Sequence, residues 1–100
     1  MKVKIEVDDS RSEDEVMVHT KDKQYQVKCK LYELEEMLSE KFMRVAKAVI
    51  VNVDQIYAVT KNLTASSGLQ FYETSKKSYV SRGYYRKLKT RLSERRRKLK

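Results

Sequence analysis

Residues 48–53, with the sequence AVIVNV, are the stretch that most constrains the fold. Their β-branched side chains favour extended backbone over helix, and a continuous apolar run suits a strand that is covered on both faces. We therefore predict the central strand of a sheet here. Arg44 and Lys47 precede the run and Asn52 lies within it, so the same segment is also a candidate recognition surface.

The residues before this strand show two periodicities. Residues 3–7 alternate between apolar and polar, which predicts a short first strand. Residues 15–20 and 24–31 alternate in the same way and are joined by Lys-Asp-Lys, which predicts a β-hairpin. From Leu31 the apolar spacing becomes that of a helix, which we expect to end near Ser39.

The second half of the chain is also rich in β patterns. Residues 56–60 predict a strand, and residues 69–74 and 78–81 predict a second hairpin around Ser-Lys-Lys. Apolar residues then recur at offsets of three, four and seven, which predicts a helix with a wide cationic face. These residues are Tyr85, Leu88, Leu92 and Leu99. The expected fold class is mainly β with two short helices, an α+β arrangement.

Composition restricts the setting in which this chain works. One hundred residues with 40% hydrophobic content suit a single compact domain. Cys29 is the one cysteine and cannot form an intramolecular disulfide. No apolar run reaches the roughly 18 residues of a membrane span. The first residues alternate between apolar and polar, whereas a signal peptide has a continuous apolar run. We therefore expect a reducing, cytoplasmic location.

Few residues are suited to catalysis or to ligand chemistry. His19 and Cys29 stand ten residues apart in the two arms of the first predicted hairpin, and we interpret His19 as a surface residue and Cys29 as a small core residue. With only two glycines, Gly68 and Gly83, the chain has no phosphate-cradling loop. We expect no catalytic activity, no cofactor and no metal site.

The positive charge is concentrated at one end of the sequence. Residues 81–100 hold ten of the 23 Lys and Arg residues but only one of the 14 acids, Glu94, so the preceding eighty residues are balanced. Arg82 and Arg86 lie among tyrosines within a folded pattern, and anchored arginines lose less entropy on binding than those of a flexible tail. This asymmetry favours an anionic polymer or surface as the partner.

Two motifs make the prediction more specific. Residues 42–56, FMRVAKAVIVNVDQI, followed by YVSRGYYRKLK at 79–89, resemble the LytTR-type DNA-binding domain, whose pattern is matched by Phe42, Arg44, Asn52 and Ile56. The resemblance covers residues 16–92. We interpret residues 1–15 as a short strand and acidic loop before that domain, and residues 93–100 as a basic helix end that frays.

The resemblance implies a stack of small antiparallel sheets whose loops enter successive major grooves of DNA. Members of the family act in bacterial transcription regulation and bind repeated sites as dimers. The expected partner is therefore double-stranded DNA with repeated sites, bound with sequence selectivity by loops and by the start of the basic C-terminal helix.

Site residues follow from the same resemblance. Lys47 falls on a polar loop position, where a lysine suits a phosphate. Arg82 belongs to the family's Ser-Arg step, and its guanidinium fork suits a guanine edge. The remaining candidates for DNA contact are Arg86 and Lys87, assigned to phosphates, together with Arg44, Lys61 and Asn62. Arg44 has an equally open alternative, an ion pair with Glu40 or another acid.

Three further parts of the sequence are not expected to contact DNA. Asn52 is read as structural, because its amide can satisfy backbone groups where the strand turns. Gly83 occupies a position that is commonly basic in the family, so one DNA contact is expected to be missing or shifted. The loop that supplies the family's first base contact maps to residues 12–15, SEDE, whose charge would repel DNA.

The short N-terminus leads to a further expectation. The family's longer first strands are replaced here by residues 1–15, so a sheet edge is left open, and residues 2–7 are expected to fill it within one chain or by exchange in a homodimer. Alternatives to DNA binding are a regulatory module that contacts a sensor protein or an acidic membrane surface, and RNA binding through stacked tyrosines.

Overall fold

A computed structural model describes residues 2–7, 15–62 and 66–98, with side chains described as far as residue 94. Eight strands and two α-helices are present in this part of the chain. In chain order they are β1 (Lys2–Val7), β2 (Val16–Thr20), β3 (Gln24–Val27), α1 (Leu31–Met37), β4 (Phe42–Ala46), β5 (Val49–Asn52), β6 (Ile56–Thr60), β7 (Ser67–Phe71), β8 (Lys77–Val80) and α2 (Arg82–Lys98), with a 3-10 turn at Val53–Gln55. The prediction of a mainly β fold with two helices is confirmed.

The strands form two antiparallel sheets. The larger sheet has the order β3-β2-β1-β5-β4, and the smaller has the order β6-β7-β8. All four residues of β5 are buried, which confirms that this strand is covered on both faces. Its predicted central position is wrong, because β1 occupies the middle of the larger sheet and β5 lies between β1 and β4.

β1 completes the larger sheet within one chain. Ile5 pairs with Val18 of β2 on one side and with Ile50 of β5 on the other. The side chains of Val3 and Ile5 are almost wholly inaccessible to solvent and enter different clusters of the core. A register shift between Lys2 and Lys4 interrupts the alternation, so β1 supplies apolar side chains to both faces of the sheet. Residues 2–7 fill the sheet in cis.

The larger sheet separates two apolar clusters. On one face α1 covers Ile5, Val16, Val18 and Ile50, with Leu31 as its own buried residue. On the other face the smaller sheet and α2 enclose the second cluster, in which the α2 residue Leu88 is fully buried. The molecule thus has three layers: α1, the larger sheet, and the smaller sheet together with α2.

Both predicted hairpins are present, with differences in their ends. The first joins β2 to β3 through residues 21–23, but β3 stops at Val27 instead of reaching Leu31, and Tyr25 and Val27 are exposed at the sheet edge. The second joins β7 to β8 through residues 72–76. Each hairpin therefore formed where alternating apolar residues flank a polar turn.

β4 was not predicted as a separate strand. Residues 42–46 pair antiparallel with β5 through a tight turn at Lys47 and Ala48. A bulge between Arg44 and Ala46 lets Val45 and Ala46 both enter the cluster beneath α2. The turn matters for function because it presents Lys47 to solvent at the end of the larger sheet.

Candidate nucleic-acid interface

The start of α2 is joined to the larger sheet beside the Lys47 turn. The backbone N–H of Ser81 donates to the carbonyl of Val45 across 2.8 Å, and Tyr84 N–H donates to the Ser81 carbonyl to begin the helix. Lys47 lies two residues past Val45 and Arg82 lies one past Ser81, so their Cα atoms are within about 18 Å of each other. Both side chains are exposed.

A cleft next to Arg82 brings together candidates from two separate elements. It has a volume of about 140 Å³. Its lining residues are Lys61, Asn62, Ser67, Arg82 and Tyr85. Lys61 and Asn62 follow β6, whereas Arg82 and Tyr85 belong to the first turn of α2. The fold therefore places three of the predicted site residues, Lys61, Asn62 and Arg82, around one opening.

A hydrogen bond and a cation–π contact join the residues that line this cleft. The hydroxyl oxygen of buried Ser67 accepts a hydrogen bond from the Asn62 backbone N–H at 3.2 Å, which holds the residues after β6 against β7. The Lys61 ammonium lies 5.4 Å from the centre of the Tyr85 ring. The contact between Lys61 and Tyr85 thus links the segment after β6 to α2 across the cleft. The smaller sheet holds the same segment next to β7.

Arg86 and Lys87 extend the cationic surface along α2. Arg86 follows Arg82 by four residues, which places both on the same side of the helix, and Lys87 is the next residue. The exposed cations of the described residues that form no ion pair include Lys47, Lys61, Arg82, Arg86 and Lys87. Their charge is available to an external anion.

Arg44 is not part of this group. It pairs across the sheet with Ile50, whose side chain packs beneath α1, so Arg44 also faces α1. Its Nε atom is buried and lies 3.8 Å from the Glu35 carboxylate, without a hydrogen-bond partner among the described residues. Of the two alternatives for Arg44, this geometry favours the ion pair, with Glu35 as the acid in place of Glu40.

Asn52 is held inside the fold. Its side-chain amide donates to the carbonyl of Lys2 at 3.0 Å, and its side-chain oxygen accepts from the backbone N–H of Asp54 at 3.1 Å. The residue is almost fully buried. Asn52 therefore joins β1 to the end of β5 and caps the 3-10 turn, as expected of a structural amide.

Gly83 lies in the first turn of α2, where an added Cβ would meet open space. A side chain at this position would project into solvent next to Arg82, so this glycine is not required by packing. Residues 12–14 of the predicted repelling SEDE loop lie outside the described residues, as do residues 63–65 and Leu99. The backbone of the predicted frayed end is helical as far as Lys98.

Sequence reasoning overlooked two members of the cleft, Tyr85 and Ser67. The sequence pattern assigns Tyr85 to the apolar stripe of α2 and to the tyrosines around Arg82, but not to the site, although it follows Arg82 by three residues and so shares its side of the helix. That spacing was the available signal. The role of Ser67 had no such signal, because it depends on the pairing of β6 with β7.

His19 is buried, so its interpretation as a surface residue is wrong. It pairs with Glu6 at 2.9 Å through Nε2, and its Nδ1 lies 3.4 Å from the Lys76 ammonium. Burial lowers the pKa of His19, an effect that the Glu6 carboxylate opposes. A neutral ring with its proton on Nε2 would donate to Glu6 and accept from Lys76 at Nδ1, and the lowered pKa favours this neutral form.

Cys29 is half-buried and packs against the cluster beneath α1, as predicted for a small core residue. Burial raises the pKa of its thiol, with a further contribution from Glu33. No grouping of three or more His, Cys, Asp or Glu suited to a metal ion occurs among the described residues. Within the same residues, neither helix has the length and apolar character to cross a bilayer.

Comparisons with known proteins agree with this architecture. The sequence model of the LytTr DNA-binding domain matches residues 5–93. The chain is 36% identical over 76 residues to an uncharacterized HTH-type transcriptional regulator of Staphylococcus aureus strain bovine RF122 / ET3-1, with 74% of this chain and 50% of that protein covered. A counterpart in strain MRSA252 is 34% identical over the same share of each chain.

A solved structure has the same fold. The LytTr DNA-binding domain of a Bacillus cereus protein named as a methyl-accepting/DNA response regulator superposes with a TM-score of 0.71, at 25% identity, over 87% of this chain and 79% of that chain. The present chain spans about half the length of the curated relatives it matches. With most of its residues matched in sequence and in structure, the chain belongs to the LytTR DNA-binding domain family.

Proposed function

We propose that this chain binds double-stranded DNA with sequence selectivity and thereby regulates transcription. The observation that carries the proposal is the group of exposed cations around the α2 start, in particular Lys47, Lys61 and Arg82, which no acid of the described residues neutralises. Phosphate neutralisation with release of counterions supplies much of the free energy of DNA binding. Membership of a DNA-binding domain family supports the same role.

The proposed roles differ among the cations. Arg82 contacts a guanine edge, because its fork of donors matches the two acceptors of that base. Lys47, Arg86 and Lys87 contact phosphates, which positions the domain without reading the sequence. Lys61 and Asn62 approach the DNA from the opposite wall of the Arg82 cleft. Arg44 is assigned to its ion pair with Glu35 and not to the DNA.

Binding to repeated sites would bring two copies of the chain next to each other, and we propose a homodimer on such DNA. The proposed homodimer does not require exchange of β1 between the two copies, because β1 pairs with β2 and β5 of its own chain. A role in transcription implies a cytoplasmic location in a bacterium. We assign no catalytic step, and the boundaries at residues 15 and 92 stay a prediction.

Selection from random duplexes tests the proposal. The chain is incubated with a pool of random duplexes at two salt concentrations, and bound sequences are recovered and measured by gel shift. We expect enrichment of a repeated motif, and an affinity that falls steeply with salt because each neutralised phosphate contributes about 0.9 to the slope. Absence of any enriched motif together with a flat salt dependence would reject the proposed function.

A further inference from the structure

Tyr85 touches both halves of the Arg82 cleft. It lies in the first turn of α2, three residues after Arg82, so that the two side chains share one side of the helix. Its ring lies 5.4 Å from the ammonium of Lys61, which belongs to the segment after β6. The Tyr85 side chain is partly buried and also packs against the core cluster beneath α2. Tyr85 is therefore a fixed wall between two cations from separate elements.

The hydrogen bond between Asn62 and Ser67 holds the backbone next to Lys61, whereas the Lys61 ammonium itself contacts the Tyr85 ring. A lysine side chain is long and flexible, and its ordering on binding costs free energy. Two like charges in one small opening also repel each other. The negative face of an aromatic ring attracts an ammonium and opposes both effects. Because a ring face leaves the N–H groups of the ammonium available, Lys61 can still donate to a phosphate.

We propose that Tyr85 is a positioning residue for DNA binding, whose ring holds the Lys61 ammonium next to Arg82 so that both cations reach the same segment of duplex. This inference rests on the proposed function and adds a residue that contributes no charge of its own. Lys61 then contacts a phosphate while Arg82 reaches the base edge beside it. Loss of the ring should weaken binding only when Lys61 is present.

A double-mutant cycle tests this dependence. Duplex affinity is measured for wild type, Tyr85→Leu, Lys61→Met and the double variant, on a duplex selected as described above. Leucine keeps an apolar side chain against the core but has no ring. We expect Tyr85→Leu to weaken binding about two- to fivefold in the wild-type background, which is the range of an exposed cation–π contact, and to have no further effect in the Lys61→Met background.

Two further variants separate positioning from folding. Tyr85→Phe retains the ring and should bind as wild type. Tyr84→Leu alters the neighbouring tyrosine, which packs on the same core cluster but does not line the cleft, and should show no coupling to Lys61. Circular dichroism melting of each variant verifies that the compared proteins are folded.

The outcomes are distinguishable. Equal weakening by Tyr85→Leu with and without Lys61, or failure of Tyr85→Phe to preserve affinity, overturns the positioning role while leaving the proposed function intact. If wild type binds no duplex, the proposed function fails and this inference fails with it. Coupling confined to the Tyr85 and Lys61 pair supports the inference.

Discussion

Ser81 donates its backbone N–H to the Val45 carbonyl at 2.8 Å, so the first residue before α2 is fixed to the strand that leads into the Lys47 turn. A backbone hydrogen bond between two ordered elements sets their spacing more tightly than contacts between long side chains. The relative positions of Arg82 and Lys47 therefore depend on the sheet and the helix start. We expect this arrangement to be present before DNA binds.

Asn52→Ala should destabilise the fold by about 1–3 kcal/mol, since it leaves the Lys2 carbonyl and the Asp54 N–H without their buried partner. Urea unfolding, monitored by circular dichroism, measures the free energy of unfolding of the variant and of wild type. The control is Asp54→Ala, which removes an exposed side chain but keeps the backbone N–H, and should stay within about 0.5 kcal/mol of wild type. Equal stability of Asn52→Ala and wild type would contradict the structural role of Asn52.

The stability of the protein should fall as the pH drops below about 6.5. Burial lowers the pKa of His19 from its ordinary value of 6.5, so the unfolded chain takes up a proton at this residue before the folded protein does. The stability that His19 contributes is complete above the pKa of its side chain in the unfolded chain. It is lost as the pH falls through the lower pKa of His19 in the folded protein. Protonation would also set the ring against the ammonium groups of Lys76 and Lys4.

His19→Gln provides the comparison for this pH effect, because glutamine donates to Glu6 but does not titrate. Urea midpoints at pH 7.5 and 5.5 are compared for the two proteins. Wild type should lose more stability over this interval than His19→Gln. Parallel losses in both proteins would show that other groups cause the pH dependence.

Gly83→Lys should strengthen DNA binding and increase the magnitude of the salt slope by about one, since a side chain at this position projects into solvent next to Arg82. Gly83→Ala is the matched control. Both variants replace a helical glycine, and alanine should stabilise the fold by about 0.5–1 kcal/mol without adding charge. If Gly83→Ala and Gly83→Lys bind DNA equally well, the added cation makes no contact and position 83 does not face the duplex.

Arg44→Met should leave duplex affinity within about twofold of wild type, because the Arg44 side chain lies on the α1 face of the larger sheet and pairs with Glu35. Arg82→Met is the comparison, with the same substitution on the α2 side, and should weaken binding about tenfold or more. Gel shift on one selected duplex measures both. Comparable losses in the two variants would place Arg44 at the DNA and contradict its assignment to the ion pair.

Local patterns in the sequence predicted much of this structure. The β-branched residues of the run at 48–53 indicated a strand covered on both faces, and alternation around short polar turns indicated both hairpins. The structural role of Asn52 followed from the need of a buried amide for partners. These features depend on residues close together in the chain.

Features that depend on distant residues were beyond such reasoning. The central place of β1 results from the pairing of Ile5 with Ile50, which a single alternating pattern does not specify. The face on which Arg44 lies depends on the register between β4 and β5. The Lys61 and Tyr85 contact likewise requires the smaller sheet to bring the end of β6 against the start of α2.

The central claim is that Arg82 reads a base while Lys47 contacts only the DNA backbone. Affinities of wild type, Arg82→Ala and Lys47→Ala for a selected duplex and for a random duplex test it most directly. Arg82→Ala should cost about 1–3 kcal/mol on the selected duplex and little on the random one, whereas Lys47→Ala should weaken both alike and lower the salt slope by about one. Equal weakening of both duplexes by Arg82→Ala would contradict the claim.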